Sequence, residues 1–576
     1  MPGKNLTRRE ALARSGHITV RSYAIDIDVR DALTSPTFRT ITKITFVSEG
    51  EKETFVDAIA SAVHSITLNG ESLNPKDVFA DSRISLTNLL ANNTLIVEAD
   101  FAYMNTGEGL HRFVDPVDNE VYLYSQFEVP DSRRVFAVFE QPDLKATFQF
   151  TVHAPGHWRV ISNQAAEGSE AGEGGATWFF SPTPRISSYI TAVIAGPYEQ
   201  VSDELVSSSG KTIPLGVFAR ASLFPHLDAD YIFATTKKGF TFYEEKFGHP
   251  YPFDKYDQIF TPEFNAGAME NAGAVTFTEA YIFRSQVSDA MRERRVVTIL
   301  HELAHMWFGD LVTMRWWNDL WLNESFAEWA STLATAEATE WTGAWTTFQA
   351  MEKSWAYRQD QLPSTHPIVA SINDIEDVQV NFDGITYAKG ASVLKQLVAW
   401  VGEDAFFAGV QNYFSRHQWG NAVLKDFLAE LEKSSGRELA EWSSVWLETA
   451  GVNTLSLDIE TDDEGIITRA AMTQSAPVDW PTLRPHRIGV GIYSTDHSGA
   501  LVATEAIELD IDGASTEIPP LVGLHRGDLV LPNNGDLAYA KIRLDADSLA
   551  FATENLKHIA DPLARSLVWG SVWEHK

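Results

Sequence analysis

The stretch Thr298–Asp310, TILHELAHMWFGD, sets two histidines four positions apart, with a glutamate directly after the first, inside an otherwise apolar run. Positions i and i+4 share one face of an α-helix, so His301 and His305 can aim their imidazoles at one point while Glu302 projects beside them. The neighbours Val296, Ile299, Leu300, Leu303 and Trp307 predict that the helix is buried. Two imidazoles and a carboxylate are costly there unless a partner satisfies them, and a divalent cation is such a partner. Catalytic zinc takes three protein ligands and leaves one position to water. Downstream, DLWLNESFAEWAS (319–331) offers Glu324 on a second predicted helix, nineteen positions after His305. Glu328 is the alternative ligand, or a group that orients one histidine.

The rest of the chain bounds this reading. At 576 residues it exceeds what one hydrophobic core supports, so three or more domains are expected. A composition of 44% hydrophobic and 21% charged residues, with 17 Trp and 33 Phe, belongs to a globular protein and excludes a mostly disordered one. No run reaches the roughly 18 apolar residues of a membrane span. The opening MPGKNLTRREALARSGH has no apolar core behind its basic residues, so no secretory signal is read and the cytoplasm is the expected location. The absence of cysteine excludes disulfides and thiolate ligands, which leaves His, Asp and Glu to hold any metal. A formal charge of −33 argues against nucleic acid or an anionic membrane as partner.

Short alternating runs between turn clusters, such as ATFQFTVHAP (146–155) and YITAVIAGPY (189–198), predict a largely antiparallel β domain from about residue 17 to 200. Residues 166–177, AEGSEAGEGGAT, read as a loop on composition. Helical periodicity dominates from about 226 to 450, clearest in 223–248, 291–309 and 391–402. Period-two runs return in RIGVGIYS (487–494) and LAYAKIRLD (537–545), predicting a small β-sandwich over 451–545. Residues 546–576 read as helices with an apolar stripe through Leu556, Ile559, Leu563, Leu567 and Trp573. Two short helices do not bury such a face alone, so these residues are expected to start a further helical domain, cut short.

The HELAH motif, the glutamate of WLNESFAEW, GAMENAGAVTF (267–277), SQFEVPDSRRVFAVFEQPDLKATF (125–148) and TYAKGASVL (386–394) together resemble the M1 family of zinc aminopeptidases, of the aminopeptidase N type, over the whole chain. The resemblance implies a multidomain α+β fold: N-terminal β-sandwich (1–200), thermolysin-like α/β catalytic domain (201–450), small β-sandwich (451–545) and the start of a helical C-terminal domain (546–576). It implies one zinc per chain on His301, His305 and Glu324. Ser325 stands where the family commonly has glycine, a departure expected to be tolerated because it lies beside the ligand and need not touch the metal.

Chemistry follows from these positions. A zinc-bound water is acidified towards a pKa of about 7, and Glu302 is placed to take its proton and hand it to the leaving amine. Charge developing on the carbonyl oxygen needs a second donor, and Tyr387 matches the family's tyrosine for this purpose. By the same resemblance, Glu270 and Glu128 bind the ammonium of a free peptide N-terminus, while Gly267, Ala268, Met269, Glu270 and Asn271 line the substrate. Taken without the family, Glu128 reads as an ion-pair partner of Arg133 or Arg134, Glu270 as a loop acid and Tyr387 as a packing residue. Trp316, Trp317 and Trp321 read as packing around the helices. The expected substrates are peptides with a free N-terminus, handled by a monomer. Two competing readings are an epoxide hydrolase, as in the M1 branch resembling leukotriene A4 hydrolase, and a non-catalytic scaffold. Gly267-Ala268 in place of two glycines and the predicted small sandwich argue against the first, and the filled catalytic positions against the second.

Overall fold

The computed structural model describes residues 5–380 and 382–574. By residue contacts the chain forms two units: residues 1–320 with 372–380 and 413–423, and residues 321–371, 381–412 and 424–576.

The first unit opens on helix Arg8–Ser15, fixed at its start by reciprocal bonds between Thr7 and Glu10. An eight-stranded sheet follows, with Ile18–Asp28 at its centre between Thr37–Ser48, antiparallel, and Thr147–Ala154, parallel. Strict alternation of buried and exposed residues along Thr37–Ser48 gives the sheet one apolar face. There Tyr23 stacks on Phe148 at 4.6 Å and Phe46 meets Phe139 at 5.2 Å. Residues 166–177 correct the loop expectation. Ala166–Gly172 pairs antiparallel with Gly175–Phe180, and Gly174 turns the hairpin at φ +79°. The strand Ala166–Gly172 lies at the sheet edge, exposed along its length, so no apolar alternation marks it and backbone pairing alone makes it a strand.

A four-stranded sheet (Arg159–Ser162, Val193–Gly196, Val121–Gln126, Gly109–Val114) joins a five-stranded one (Tyr198–Val206, Thr212–Arg220, Tyr256–Thr261, Ala274–Thr278, Ala268–Met269). Tyr122, Tyr124, Ile161 and Ile194 of the first and Phe218, Ile259 and Ala274 of the second share one buried cluster. The strand Tyr256–Thr261 is buried at every position, so it lacks the alternation that would distinguish it within a region of helical periodicity. The helix expected from 223 starts only at Ala229, because Pro225 lies in a separate turn, Phe224–His226. That helix, Ala229–Phe247, packs on helix Asp289–His305. A Cβ at Gly239 would stand 2.4 Å from Leu300 Cδ2, and the Tyr243 hydroxyl donates to the Leu300 carbonyl at 2.8 Å.

The second unit takes in helix Leu320–Ala338 from Trp321 onward, the segments Phe348–Lys353, Ser354–Asp360 and Ile385–Lys389, helix Gly390–Val401, and the helices Leu424–Ser435 and Ala440–Leu447. Two small sheets follow. Ser515–Glu517, Ile467–Ser475, Thr454–Thr461 and Lys541–Arg543 form one; Leu501–Ile511, His486–Thr495 and Leu529–Pro532 form the other. Only Lys541–Arg543 of the run 537–545 is a strand. The C-terminal helices Ala546–Asn555 and Pro562–Glu574 correct the uncovered-stripe expectation. Ile559 and Leu567 are buried with Tyr493, Leu501, Leu529 and Leu531, and Leu556 and Leu563 pack at the margin of the same cluster. The sheet that precedes them in the chain covers most of the stripe. Trp569 and Trp573 remain 58% and 69% exposed. Buried ion pairs Lys353–Asp536 at 2.6 Å and Lys389–Asp360 at 2.8 Å tie distant segments of this unit. Trp316, Trp317 and Trp321 are buried, in keeping with packing; in the first unit Trp316 donates to the Ile372 carbonyl at 2.8 Å. The architecture is multidomain α+β: a β-rich N-terminal part, a mixed α/β middle and helices afterwards.

Candidate active site

Helix Asp289–His305 begins where Ser288 accepts a bond from the Met291 amide and Asp289 faces the positive end of the helix dipole. It is exposed at first and buried from Arg295 onward. The Nε2 atoms of His301 and His305 stand 3.1 Å apart, with ring centroids at 4.8 Å. His305 Nδ1 lies 3.1 Å from the Phe308 carbonyl. Since a carbonyl only accepts, that contact puts the His305 proton on Nδ1 and leaves a lone pair on Nε2, the form that binds a metal. His305, Glu302 and Glu270, all buried, bring one ligand atom each within 4.8 Å of one another. A donor set of imidazole nitrogen and carboxylate oxygen, crowded and buried without thiolates, fits a divalent zinc ion.

The turn after the helix is fixed from the β-rich part. Lys145 Nζ, buried, donates to the carbonyls of Asp310 and Leu311 at 3.2 and 3.3 Å, and burial pushes its ammonium down to about 7. The Asp310 carboxyl, fully buried, is raised well above the usual carboxylate range by burial and then by the charge of Glu270.

Residues 267–271 border the five-stranded sheet. Ala268 and Met269 pair with Phe277 and Thr276, and this two-residue strand is the sheet's edge, the place where an extended chain can add as a further strand. A Cβ on Gly267 would stand at ordinary contact distance from Tyr281 Oη, 3.7 Å, and Thr298 Cγ2, 3.8 Å, so packing within the chain does not demand glycine here. Asn271 is buried and donates to the Ala274 carbonyl and the Thr276 hydroxyl, both at 3.2 Å, which holds the turn that follows. Glu128 and Glu270 bring carboxylate oxygens within 4.8 Å of each other. Arg134 pairs with Asp131 at 2.7 Å.

In the second unit, Glu324 and Glu328 lie four residues apart on one buried face of helix Leu320–Ala338. Tyr387 is half-buried within Ile385–Lys389, a wide turn in which the Lys389 amide reaches back to the Gly384 carbonyl at 2.9 Å. Polar ties hold this turn. Asp383 Oδ1 accepts from the amides of Ile385 and Thr386 at 2.9 and 3.0 Å, and Gln359 Oε1 accepts from the Gly384 amide at 2.6 Å. His366 Nε2 meets Asp383 Oδ2 at 2.7 Å. Ser325 Oγ donates to the Thr386 carbonyl at 2.7 Å. The residue read as a tolerated departure thus touches the turn that carries Tyr387. Apart from Ser325, none of these supports is singled out from sequence. Only the Asp383 cap, a carboxylate two and three residues before the amides it accepts from, leaves a local signal.

This arrangement, a buried H-E-x-x-H helix beside an edge strand and a pair of carboxylates, has the groups that a metal-dependent hydrolase acting on an extended chain needs. Comparison with known proteins agrees. The Peptidase M1 N-terminal domain matches residues 22–190 and the Peptidase family M1 domain residues 231–446. The chain is 58% identical over 584 residues to aminopeptidase N of Streptomyces lividans, covering 100% of this chain and 68% of that protein. It is 34% identical over 409 residues to probable aminopeptidase 2 of Sulfurisphaera tokodaii and 32% identical over 428 residues to aminopeptidase M1 of Arabidopsis thaliana, covering 70% and 73% of this chain. The chain spans 50% and 46% of the lengths of those two relatives. It belongs to the M1 peptidase family, and within that family to the aminopeptidases.

Proposed function

We propose that the whole protein is a zinc-dependent aminopeptidase that releases single residues from the free N-termini of peptides. The observation that carries this reading is the meeting of His305, Glu302 and Glu270 within 4.8 Å beside the edge strand Ala268–Met269. One zinc per chain would be held by His301, His305 and Glu324, with Glu328 as the alternative ligand or a group that orients one histidine. When bound, the ion supplies a Lewis acid for the scissile carbonyl and a bound water of lowered pKa. Glu302 takes the proton of the attacking water on its carboxylate and passes it to the leaving nitrogen. The Tyr387 hydroxyl donates to the oxygen that becomes negative. Glu128 and Glu270 hold the substrate ammonium, which fixes the cut one residue from the end and disfavours blocked N-termini. Residues Gly267–Asn271 align the substrate as an added strand.

The family matches and the burial of Glu270, His301, Glu302, His305 and Glu324 support these roles. The domain division at 200, 450 and 545, action as a monomer and a cytoplasmic location belong to the same proposal. No described helix is long and apolar enough to cross a membrane. The charge of −33 supports peptides over nucleic acid as partners.

A panel of amino-acid anilides, each with a free and an acetylated amine, tests the reading. Turnover of the free-amine compounds only is the expected result. Equal turnover of both forms would overturn the ammonium-binding role of Glu128 and Glu270.

A further inference from the structure

The edge strand Ala268–Met269 has only two residues and one partner strand, so what precedes it must set its place. The loop leading into it runs through Glu263, at φ +56°, a left-handed conformation uncommon for a residue with a side chain and kept only where its surroundings enforce it. Several contacts enforce it, all from the β-rich part of the first unit. His111 Nε2 lies 2.9 Å from Glu263 Oε2. The Tyr124 hydroxyl donates to the Glu263 carbonyl at 3.1 Å, and the Phe264 ring sits 5.5 Å from that of Tyr124. The Asn265 amide donates to the Thr106 carbonyl at 2.6 Å, and at Gly107, with φ +95°, a Cβ would fall 2.0 Å from Asn265 Nδ2. The two loops interlock.

His111 is the pivot. It is buried, it stacks on Tyr124 at 4.8 Å, and its Nδ1 accepts from the Gly107 amide at 3.2 Å. Accepting there puts the ring proton on Nε2, so the imidazole donates to Glu263 and takes one bond from each loop. The Glu263 side chain is 55% exposed, so its conformation owes little to packing and much to this bond.

We propose that His111 and Glu263 form a latch that positions residues 267–271 for substrate and thereby sets KM; this rests on the aminopeptidase reading. Main-chain pairing at a strand edge depends on placement to a fraction of an ångström, so loosening the loop weakens substrate binding while the groups that act on the scissile bond stay in place. His111 and Glu263 touch no substrate; they are positioning residues.

Four variants of the full chain test this: His111→Phe, which keeps the ring on Tyr124; Glu263→Ala; Glu263→Gln, which retains an acceptor; and the double variant His111→Phe/Glu263→Ala. Steady-state kinetics on alanine anilide and amide exchange of residues 264–272 without substrate are both read. His111→Phe and Glu263→Ala should each raise KM by about 3- to 10-fold, as loss of one hydrogen bond predicts, with kcat within twofold. The double variant should be no worse than either single, and Glu263→Gln should behave as the parent. Exchange should quicken in the first two and not in the third. Unchanged KM and exchange would overturn the latch, as would a fall in kcat matched by a fall in melting temperature. If the parent itself fails to cleave free-amine anilides, the aminopeptidase reading fails, and exchange alone judges the latch: faster exchange in His111→Phe sustains it, unchanged exchange overturns it.

Discussion

Two segments with adjoining chemical tasks are held by opposite means. Helix Asp289–His305 is a regular ladder, buried from Arg295 onward, with Ile299, Leu300 and Leu303 fully enclosed and Gly239 letting a second helix close on it. The turn Ile385–Lys389 has a short, widened set of main-chain bonds, with the amides of Ala388 and Lys389 both reaching the Gly384 carbonyl, and to these are added side-chain ties from Asp383, Gln359 and Ser325 and the Lys389–Asp360 pair. Apolar burial spreads support over many contacts, so the helix loses stability before it loses geometry. Polar ties concentrate it, so removing one group can shift the turn while the unit stays folded.

The largest expected effect separates function from support inside the helix itself. Glu302→Gln should lower kcat by about 10²- to 10⁴-fold, with zinc content and melting temperature retained. A near-parental rate would remove Glu302 as the base. Next, Leu303→Ala should cost about 2–5 kcal/mol in denaturant unfolding, because Leu303 is completely buried, while the folded fraction keeps its kcat. A collapse of kcat at unchanged stability would contradict the view that packing supports this helix. Asp383→Ala should invert that pattern, costing only about 1 kcal/mol of stability as the loss of a cap. Its kcat should fall by about 10-fold or more as Tyr387 shifts, with KM little changed.

The smallest effect sharpens the polar side. The bond to Asp383 raises His366 above its ordinary 6.5, so the stability it contributes is full below 6.5 and is lost as pH climbs through the raised value. Asp383 is held below 3.8, since the His366 bond and the Thr386 amide outweigh the opposing effect of burial, and its contribution is lost as pH falls through the lowered value. Melting temperature followed against pH should therefore lose its alkaline-side slope in His366→Gln. Both side chains are about a quarter exposed, which keeps the change small; a slope equal to the parent's would remove the pair from the account.

The same contrast explains what the sequence discloses. His301, Glu302 and His305 are legible because helical spacing alone puts them on one face; the demand for a third ligand points to Glu324 or Glu328, and only the family resemblance chooses Glu324. Tyr387 came from resemblance, since nothing local separates it from a packing tyrosine. Apart from the Asp383 cap, the side-chain ties that hold its turn join residues 17 to 61 positions apart, and no periodicity announces them. The hairpin 166–180 was hidden because an edge strand exposed along its length carries no apolar alternation. The apolar stripe of the last helices was read correctly as a packing face, yet the sheet that covers most of it comes earlier in the chain, where the pattern gives no hint of the pairing.

The central claim is that one zinc ion, held by His301, His305 and Glu324, is required for peptide-bond hydrolysis. The direct test is to strip the protein of metal and add zinc back in measured amounts while following alanine anilide cleavage. Activity should rise in proportion to added zinc and stop at one ion per chain, and Glu324→Ala should not recover it. Full turnover after verified metal removal, or recovery by Glu324→Ala equal to the parent, would contradict the account.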